Sequence, residues 1–260
     1  MDIRKNDKLK SLLQGWPAHT VMTSRVLKER GLSHSNIANY QKFQWIAPIG
    51  RGAFKKASET VSWEGLVYGL QQHEKDTFFV GGKTALELSG SAHFIPFHQA
   101  TVFLFSSVPK LPPLWFRQAK DSPTFRFHTQ RILPPLEGIT PYDCGEFSIQ
   151  ISSRERASVE MAALVGQTYA FQDLALIFEN LGSMRSNVMQ SLLETCTSLK
   201  AIRVVLFLGH RSQHPWYNRL DLSRIPIGTG PREVVKGGVY DPQFKITYPK
   251  ELFEDDQPEI

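Results

Sequence analysis

Residues Thr20–Lys56 read TVMTSRVLKERGLSHSNIANYQKFQWIAPIGRGAFKK, and this stretch decides the fold of the N-terminal part of the chain. It contains two short amphipathic segments that meet at Gly31, and then a β-like run that turns at 50–52. Thr23 or Ser24 can cap the first helix, because a short side-chain oxygen accepts a hydrogen bond from a free N–H at a helix start. Gly31 ends that helix, since glycine adopts the left-handed conformation at low cost.

A second helix is predicted to begin at Ser33 and to turn Ile37, Tyr40 and Phe43 inward at helical spacing. Its outward residues are short donors and acceptors with one cation, a set suited to contacting base edges from a helix in a major groove. These outward residues are Ser33, His34, Ser35, Asn39 and Lys42. The hairpin that follows carries Arg51, Lys55 and Lys56 near its tip. A basic hairpin beside such a helix predicts a winged helix-turn-helix.

The positive charge of the chain is concentrated in this N-terminal segment. Residues 1–60 hold eleven Lys or Arg and four Asp or Glu, a balance of +7, whereas the remaining residues carry −2. A local cationic excess is typical of a module that displaces counterions from phosphates. Charge location therefore favours DNA binding. The alternative is a winged helix that docks another protein and does not touch DNA.

Composition sets the class of protein. The 260 residues suffice for one large domain or two modest ones, and 41% hydrophobic with 21% charged residues is ordinary for a globular protein. No apolar run follows the N-terminal charges, and no apolar stretch is long enough to cross a bilayer. Cys144 and Cys196 lack partners at metal-ligand spacing, so we expect buried thiols in a reducing cytosol. We expect a cytoplasmic protein without cofactor, metal or membrane contact.

The order of predicted elements gives an α+β fold. Residues 1–60 form the winged helix-turn-helix, whose boundary could extend to about residue 92, and residues 61–260 form a larger mixed domain that ends in an acidic tail. Strands are expected at 78–80, 94–97, 101–106, 125–133 and 146–151, with a C-terminal hairpin of 233–236 and 244–248. Helices are expected at 7–14, 62–72, from 153, and at 171–180, 185–195 and 198–210.

The sequence GGKT at 81–84 suggests a phosphate-binding turn. A Walker loop requires a glycine where this chain has Thr77, so that pattern fails. A nucleotidyltransferase would need paired carboxylates shortly after the turn to hold magnesium. The acidic pairs are Glu74/Asp76, before the turn, and Glu254/Asp256, in the tail. Packing explains the glycines better, and a nucleotidyltransferase-like enzyme at Gly81-Gly82 is the alternative from another functional class.

Several blocks of the sequence resemble the AbiEi-type antitoxins of bacterial AbiE toxin–antitoxin and abortive-infection systems. The blocks are WIAPIGRGAF, WEGLVYGL, FFVGGKTALELSG, SLLETCTSLKAIRVVLFL, HPWYNRLDLSRI and VVKGGVYDPQFKITYP, and the resemblance as a whole runs through roughly residues 5 to 249. The resemblance implies a winged helix that binds inverted repeats in its own promoter and represses the operon. It also implies a C-terminal domain that neutralises a nucleotidyltransferase-like toxin, by a functional route that in some relatives involves physical contact, and no enzymatic activity.

The resemblance also assigns roles to residues. Reading of DNA falls on Ser33, His34, Ser35, Asn39 and Lys42, with Thr23 and Ser24 at the preceding helix start, and phosphate contact falls on Arg51, Lys55 and Lys56. The antitoxin surface would include Lys200, Arg203, Trp216 and Lys236. One departure is Phe54, where the family commonly has tyrosine, which would remove a phosphate-contacting hydroxyl from the wing.

Overall fold

The structure is a computed structural model, and it describes residues 3–75, 77–90, 101–120 and 122–253. Its mixture of helices and sheets confirms the predicted α+β class. The α-helices of this described part are α1 Ile3–Gln14, α2 Ser24–Glu29, α3 His34–Lys42, α4 Trp63–His73, α5 Gly82–Leu88, α6 Leu114–Arg117, α7 Arg154–Leu164, α8 Phe171–Glu179, α9 Ser186–Thr195 and α10 Leu199–Arg211.

Strands make three sheets in the same residues. The strands are β1 Met22–Thr23, β2 Ile46–Gly50, β3 Ala53–Lys56, β4 Phe78–Val80, β5 Thr101–Ser106, β6 Thr124–Thr129, β7 Ile139–Asp143, β8 Ser148–Ser152, β9 Val239–Asp241 and β10 Ile246–Tyr248. The sheet orders are β1-β3-β2, β6-β5-β4-β8-β7 and β10-β9. β5 and β6 run parallel, with Thr101 opposite Thr124, whereas the pairs of the two smaller sheets are antiparallel.

The chain divides into two compact units that interleave along the sequence. The first unit comprises Met1–Phe79, Phe97–Thr129 and Pro141–Gln150. The second unit comprises Val80–Pro96, Gln130–Thr140 and Ile151–Ile260.

Within the first unit, the elements follow in the order α1-β1-α2-α3-β2-β3 and the sheet order is β1-β3-β2; the β2–β3 hairpin is called the wing below. The apolar core is built from the inward side chains of all six elements. The core residues are Leu9, Leu12, Trp16, Met22, Val26, Leu27, Ile37, Tyr40, Ile46 and Phe54. Their burial is what fixes α2 and α3 against each other, because neither helix is long enough to be stable in isolation.

Helix α4 contains two glycines, Gly65 and Gly69, which are unfavourable inside a helix but allow close packing at this position. A Cβ on Gly65 would collide with the carbonyl of His19, and a Cβ on Gly69 would lie 2.8 Å from the Val21 Cβ. The glycines, four residues apart, therefore line one face of the helix and let its backbone contact the chain just before β1. This close packing offsets the cost of about 1 kcal/mol that each glycine carries in a helix.

The C-terminal hairpin differs from its prediction. The strand expected at 233–236 is instead a turn, and β9 starts after the glycines rather than before them. The reason is Thr247, whose hydroxyl accepts from the N–H groups of Val234 and Val235 and donates to the Val235 carbonyl. A side chain thus satisfies backbone groups that a strand would have paired. The sequence prediction also lacked α6 and β7, which lie in proline-bearing segments. The strand predicted at 94–97 and most of the acidic tail lie outside the described residues.

Candidate nucleic-acid interface

Helix α3 presents an exposed face that is polar except for Ala38. Ser33 caps the helix by accepting from the Asn36 N–H at 3.2 Å, and the Asn36 side chain accepts from the Ser33 N–H at 3.1 Å, which completes a capping box. Ile37 and Tyr40 are buried, as predicted. At about 100° per residue, the opposite side of the helix carries the exposed residues. They are His34, Ser35, Ala38, Asn39 and Lys42.

Ala38 was absent from the predicted set, although it lies one helical turn from both His34 and Lys42. Its exposure follows from the same helical spacing that places His34 and Lys42 on this side. A methyl group there is chemically suited to contact the methyl of thymine. The prediction selected only polar residues, and so it passed over the small apolar one.

Thr23 serves the geometry of the interface from a buried position, whereas Ser24 is half-buried. Thr23 is buried, and its hydroxyl accepts from the Val26 N–H and lies 3.0 Å from His73 Nδ1. Its prediction as a helix cap is confirmed, and its prediction as a DNA-contacting residue is wrong because burial removes the side chain from solvent. The Ser24 N–H donates to the carbonyl of Gly52 at 2.8 Å. That bond ties the start of α2 to the turn of the wing.

His73 supports the start of α2 from the neighbouring helix. Burial is the main cause that lowers the pKa of His73, and the charges of Arg25 and Lys110 act in the same direction. A neutral imidazole can accept at Nδ1 from the Thr23 hydroxyl, while Arg25 donates to the His73 carbonyl at 3.1 Å. The end of α4 therefore holds the start of α2 through two hydrogen bonds.

The wing turns at Arg51-Gly52, where Gly52 has φ 76°. This left-handed conformation at a two-residue connection favours glycine strongly. Arg51 is exposed at the tip. Its position agrees with a phosphate-contacting role.

Lys55 and Lys56, by contrast, are half-buried and turned toward Glu59. Lys56 Nζ lies 3.1 Å from the Glu59 carboxylate, and Lys55 Nζ donates to the Glu59 carbonyl at 2.6 Å. Burial works to raise the pKa of Glu59, but the His19 N–H and Lys56 outweigh it and leave the pKa lowered. Only the charge of Lys56 is paired with a carboxylate, and the phosphate contact of Lys55 and Lys56 stays a prediction.

Two aromatic residues also depart from their predicted environments. Phe43 was expected to face inward, yet its side chain is 54% exposed and stacks on Trp45 with ring centroids 5.5 Å apart. Helix α3 ends one residue earlier, and Gln44 at φ 57° turns the chain, so Phe43 no longer follows the helical repeat. Phe54 is buried opposite Met22, so a hydroxyl at this position would lie in the core rather than against a phosphate.

The predicted antitoxin surface in the second unit is mostly interior. Arg203 is 1% exposed and donates to the carbonyls of Ile227, Gly230 and Lys245 at 2.6, 2.7 and 3.1 Å. Trp216 is also 1% exposed and packs against Gly209, where no Cβ would fit. Both predictions are wrong in the same way: these residues build the fold.

Lys200 and Lys236, the other two residues of that set, differ in accessibility. Lys200 is half-buried and donates to the Val165 carbonyl at 2.9 Å. Burial, and then the charge of Arg232, lower the pKa of Lys200. Lys236 is exposed next to Gly237, which has φ 68° in the turn before β9. Of the four, Lys236 is the residue whose charge is fully presented to solvent.

At the Gly81-Gly82 turn, a side chain of the protein already accepts the hydrogen bond that a bound phosphate would accept. The N–H of Gly82 donates to the carboxylate of Glu160 at 3.0 Å, and that carboxylate also accepts from Ser152 and from Arg156 Nε at 2.8 Å. Glu160 is completely buried, and burial raises its pKa against the opposing effect of Arg156. The position where a nucleotide phosphate would bind at the start of α5 is thus filled by an internal acid.

The described part of the chain contains no group of three or more His, Cys, Asp or Glu side chains that could hold a metal ion. Cys196 is buried as predicted, whereas Cys144 is half-buried. Burial, with the negative charges of Glu64 and Asp143, raises the pKa of the Cys144 thiol to about 11. A thiol with that pKa is a poor nucleophile near neutral pH. No helix among the described residues is long and apolar enough to span a membrane.

Comparisons with known proteins agree with this arrangement. A family model described as "Transcriptional regulator, AbiEi antitoxin, Type IV TA system" matches residues 99–249, and one described as "Transcriptional regulator, AbiEi antitoxin N-terminal domain" matches residues 5–97. No curated protein matches the sequence. The fold is similar to the crystal structure of the RV2827C protein from Mycobacterium tuberculosis, with a TM-score of 0.60 and 14% identity over 92% of this chain and 88% of that one.

Proposed function

The chain belongs to the AbiEi family of antitoxin transcriptional regulators of type IV toxin–antitoxin systems, and from this premise we propose that it represses its own operon. In this proposal it is a cytoplasmic protein that binds inverted repeats in the DNA upstream of its gene. Its other partner is a nucleotidyltransferase-like toxin, which it neutralises. The observation that supports DNA binding most directly is the exposed polar face of α3, together with the exposed Arg51 at the tip of the wing.

Helix α3 would lie in the major groove with Asn39 and Lys42 toward base edges. Asparagine pairs with adenine through two hydrogen bonds, and lysine donates to guanine acceptors. His34 and Ser35, at the N-terminal end of the helix, would approach the bases or the nearest phosphates. Arg51 would contact the backbone of the adjacent groove. Two copies on inverted repeats would then give the operator a two-fold symmetry that matches the protein.

The test is equilibrium binding to the DNA upstream of the gene at several salt concentrations, with a scrambled fragment of the same length as reference. The proposal expects preference for the upstream fragment and a steep loss of affinity with salt. Equal weak binding to both fragments would contradict base reading by α3. The absence of binding to either fragment would favour the alternative in which the N-terminal part of the chain docks another protein.

Antitoxicity is tested separately. The neighbouring toxin gene is expressed from an inducible promoter together with the chain, its Asn39→Ala variant or its Lys236→Glu variant. We expect Asn39→Ala to keep full rescue of growth, because α3 would act on DNA alone. Failure of the wild-type chain to rescue growth would refute the neutralising role without touching the proposed DNA binding.

Catalysis at the Gly81-Gly82 turn is the remaining alternative, and Glu160 argues against it. A transferase would need this turn open to a triphosphate, but the internal carboxylate already accepts from Gly82. Incubation of the purified protein with labelled nucleotides, tRNA and magnesium tests the point. We expect no transfer of label, and label on the RNA would refute this view of the turn.

A further inference from the structure

A cavity of about 630 Å³ lies beside the wing, within the first unit. Its lining residues come from the wing, from the start of α4 and from the segment that follows α6. They are Pro48, Ile49, Lys55, Thr60, Val61, Leu66, Gln118, Ala119 and Lys120. The volume is within the range of about 300–1,000 Å³ that small-molecule sites occupy.

The walls of this wing cavity are chemically divided. Aliphatic side chains, among them Ile49, Val61 and Leu66, provide apolar surface. Lys55 and Lys120 provide two cations, and none of the described residues that line the cavity is acidic. Such a combination favours a ligand with an apolar body and one negatively charged head.

The side chain of Lys55 brings a positive charge to the wall of the wing cavity. The sequence suggested that its ammonium contacts DNA, but the side chain is half-buried and lines the cavity instead. Its Nζ donates to the backbone carbonyl of Glu59, and no described carboxylate forms an ion pair with it. A carbonyl dipole compensates a buried cation less well than a carboxylate does, so an entering anion would improve its environment.

The strand that borders the cavity is irregular at the same point. The pairing of β2 with β3 shifts register between Pro48 and Gly50, so Ile49 lies at a bulge. Gly50 also allows α6 to pack closely on β2, since a Cβ there would lie 3.0 Å from the Trp115 Cα. Bulges are frequent next to functional sites, where they redirect a side chain.

We propose that the wing cavity binds a small anionic amphiphile, a molecule with an aliphatic body against Ile49, Val61 and Leu66 and a carboxylate head between Lys55 and Lys120. Thr60 and Gln118 line the same cavity and supply further hydrogen-bonding groups for the head. This binding does not depend on the proposed recognition of DNA.

The test is calorimetric titration of the full chain with decanoate below its micellar concentration. We expect one decanoate per chain, and about tenfold weaker binding in Lys120→Glu and in Lys55→Met, since each removes a charge-assisted contact. Lys120 is exposed, so its substitution does not threaten folding. Lys75→Glu, another exposed lysine of the first unit outside the cavity lining, is the matched control and should bind as wild type.

A second pair of titrations separates charge recognition from simple adhesion to apolar surface. Decyltrimethylammonium has a similar aliphatic chain with the opposite charge, and we expect it not to bind at this site. Equal binding of the two amphiphiles would overturn the proposal, as would unchanged decanoate affinity in both lysine variants. Absence of decanoate binding to the wild-type chain, with its fold verified by circular dichroism, would also overturn it.

Discussion

Helices α3 and α10 each carry residues that the sequence predicted to be functional, but the candidates of α3 are exposed whereas Arg203 of α10 is buried. In α3 only Ile37 and Tyr40 are buried, and the candidate residues look outward. In α10 every residue from Ala201 to Gly209 is buried, including Arg203. A cation in a short amphipathic helix is thus available to a partner, whereas a cation inside an apolar helix is part of the architecture.

The difference shows where evidence for function lies in a helix. Arg203 interrupts the run AIRVVLFLG, which is apolar on all sides. A helix of this kind is surrounded by protein, so its single charged residue must find internal partners. In the α3 sequence HSNIANYQK, polar residues cover one side of the helix, and this side takes no part in the core. Surplus polarity on one side is the better indication of a binding surface.

The largest expected effect tests the interior role of Arg203. Replacing Arg203 with Met leaves three part-buried carbonyls without their donor and should lower the free energy of unfolding by about 3 kcal/mol. The matched change Lys236→Met, from the same predicted set but exposed, should stay within about 0.5 kcal/mol. Urea unfolding of both variants measures this. If the two variants lose the same stability, the contrast between interior and surface fails.

The next effect concerns the exposed face of α3. Asn39→Ala should weaken binding to the upstream DNA by about 1–3 kcal/mol, because a bidentate contact to one base is lost. Binding to scrambled DNA should not change, and neither should stability, since the side chain is exposed. Parallel titrations on both fragments give the answer. An equal loss on the scrambled fragment would mean that Asn39 contacts only the backbone.

A smaller effect, dependent on pH, is expected at the ion pair of Glu155 and Arg185. Burial works to raise the pKa of Glu155, but two side-chain hydrogen bonds and the N–H of Arg185 outweigh it and lower the pKa. A carboxyl with a lowered folded pKa stabilises the protein above its unfolded value of about 4.3, and this contribution is lost as pH falls through the folded pKa.

Arg185→Ala should therefore cost about 1 kcal/mol at pH 7, since the guanidinium is largely exposed and screened. The cost should shrink as the pH falls through the lowered folded pKa of Glu155, because protonation of the carboxyl removes its attraction to the guanidinium. Thermal unfolding from pH 7 to pH 3 measures the difference between variant and wild type. A difference that is constant across this range would show that Arg185 acts through packing and not through charge.

The smallest effect compares two cations of the wing. Arg51→Ala should reduce the slope of log affinity against log salt by about 0.9, the value for one lost phosphate contact. Lys55→Met should leave that slope unchanged, because its ammonium is bonded to Glu59. The measurement is binding at four or more salt concentrations. A slope that changes in Lys55→Met would place its charge on the DNA side after all.

Local features could be predicted well from the sequence. The caps at Thr23, Ser33 and Ser153 and the helix end at Gly31 depend on hydrogen bonds between near neighbours, which the sequence contains in full. The inward positions of Ile37 and Tyr40 follow from the helical repeat of about 3.6 residues. The α+β class follows from the order of such elements.

Features that depend on distant residues could not be predicted. The direction of Lys55 is set by the carbonyl of Glu59 at the end of the wing, and Arg203 is held by three loop carbonyls far along the sequence. Phe43 appeared apolar and periodic, but a change of backbone direction at Gln44 decides its exposure. The family resemblance was confirmed over residues 5–97 and 99–249, but it could not distinguish residues that build the fold from those that face a partner.

The glycines of α4 also limit how this module can be cut or exchanged. Gly65 and Gly69 bring the helix against 19–21, and Gln71 exchanges hydrogen bonds with the backbone of Gln150. A fragment that ends near residue 60 would lack α4, so Val21 and its apolar neighbours would become exposed to solvent and promote aggregation. Helices α2 and α3 and the wing therefore depend on α4 for their packing, and their transfer between related regulators would have to include α4 and residues 141–150.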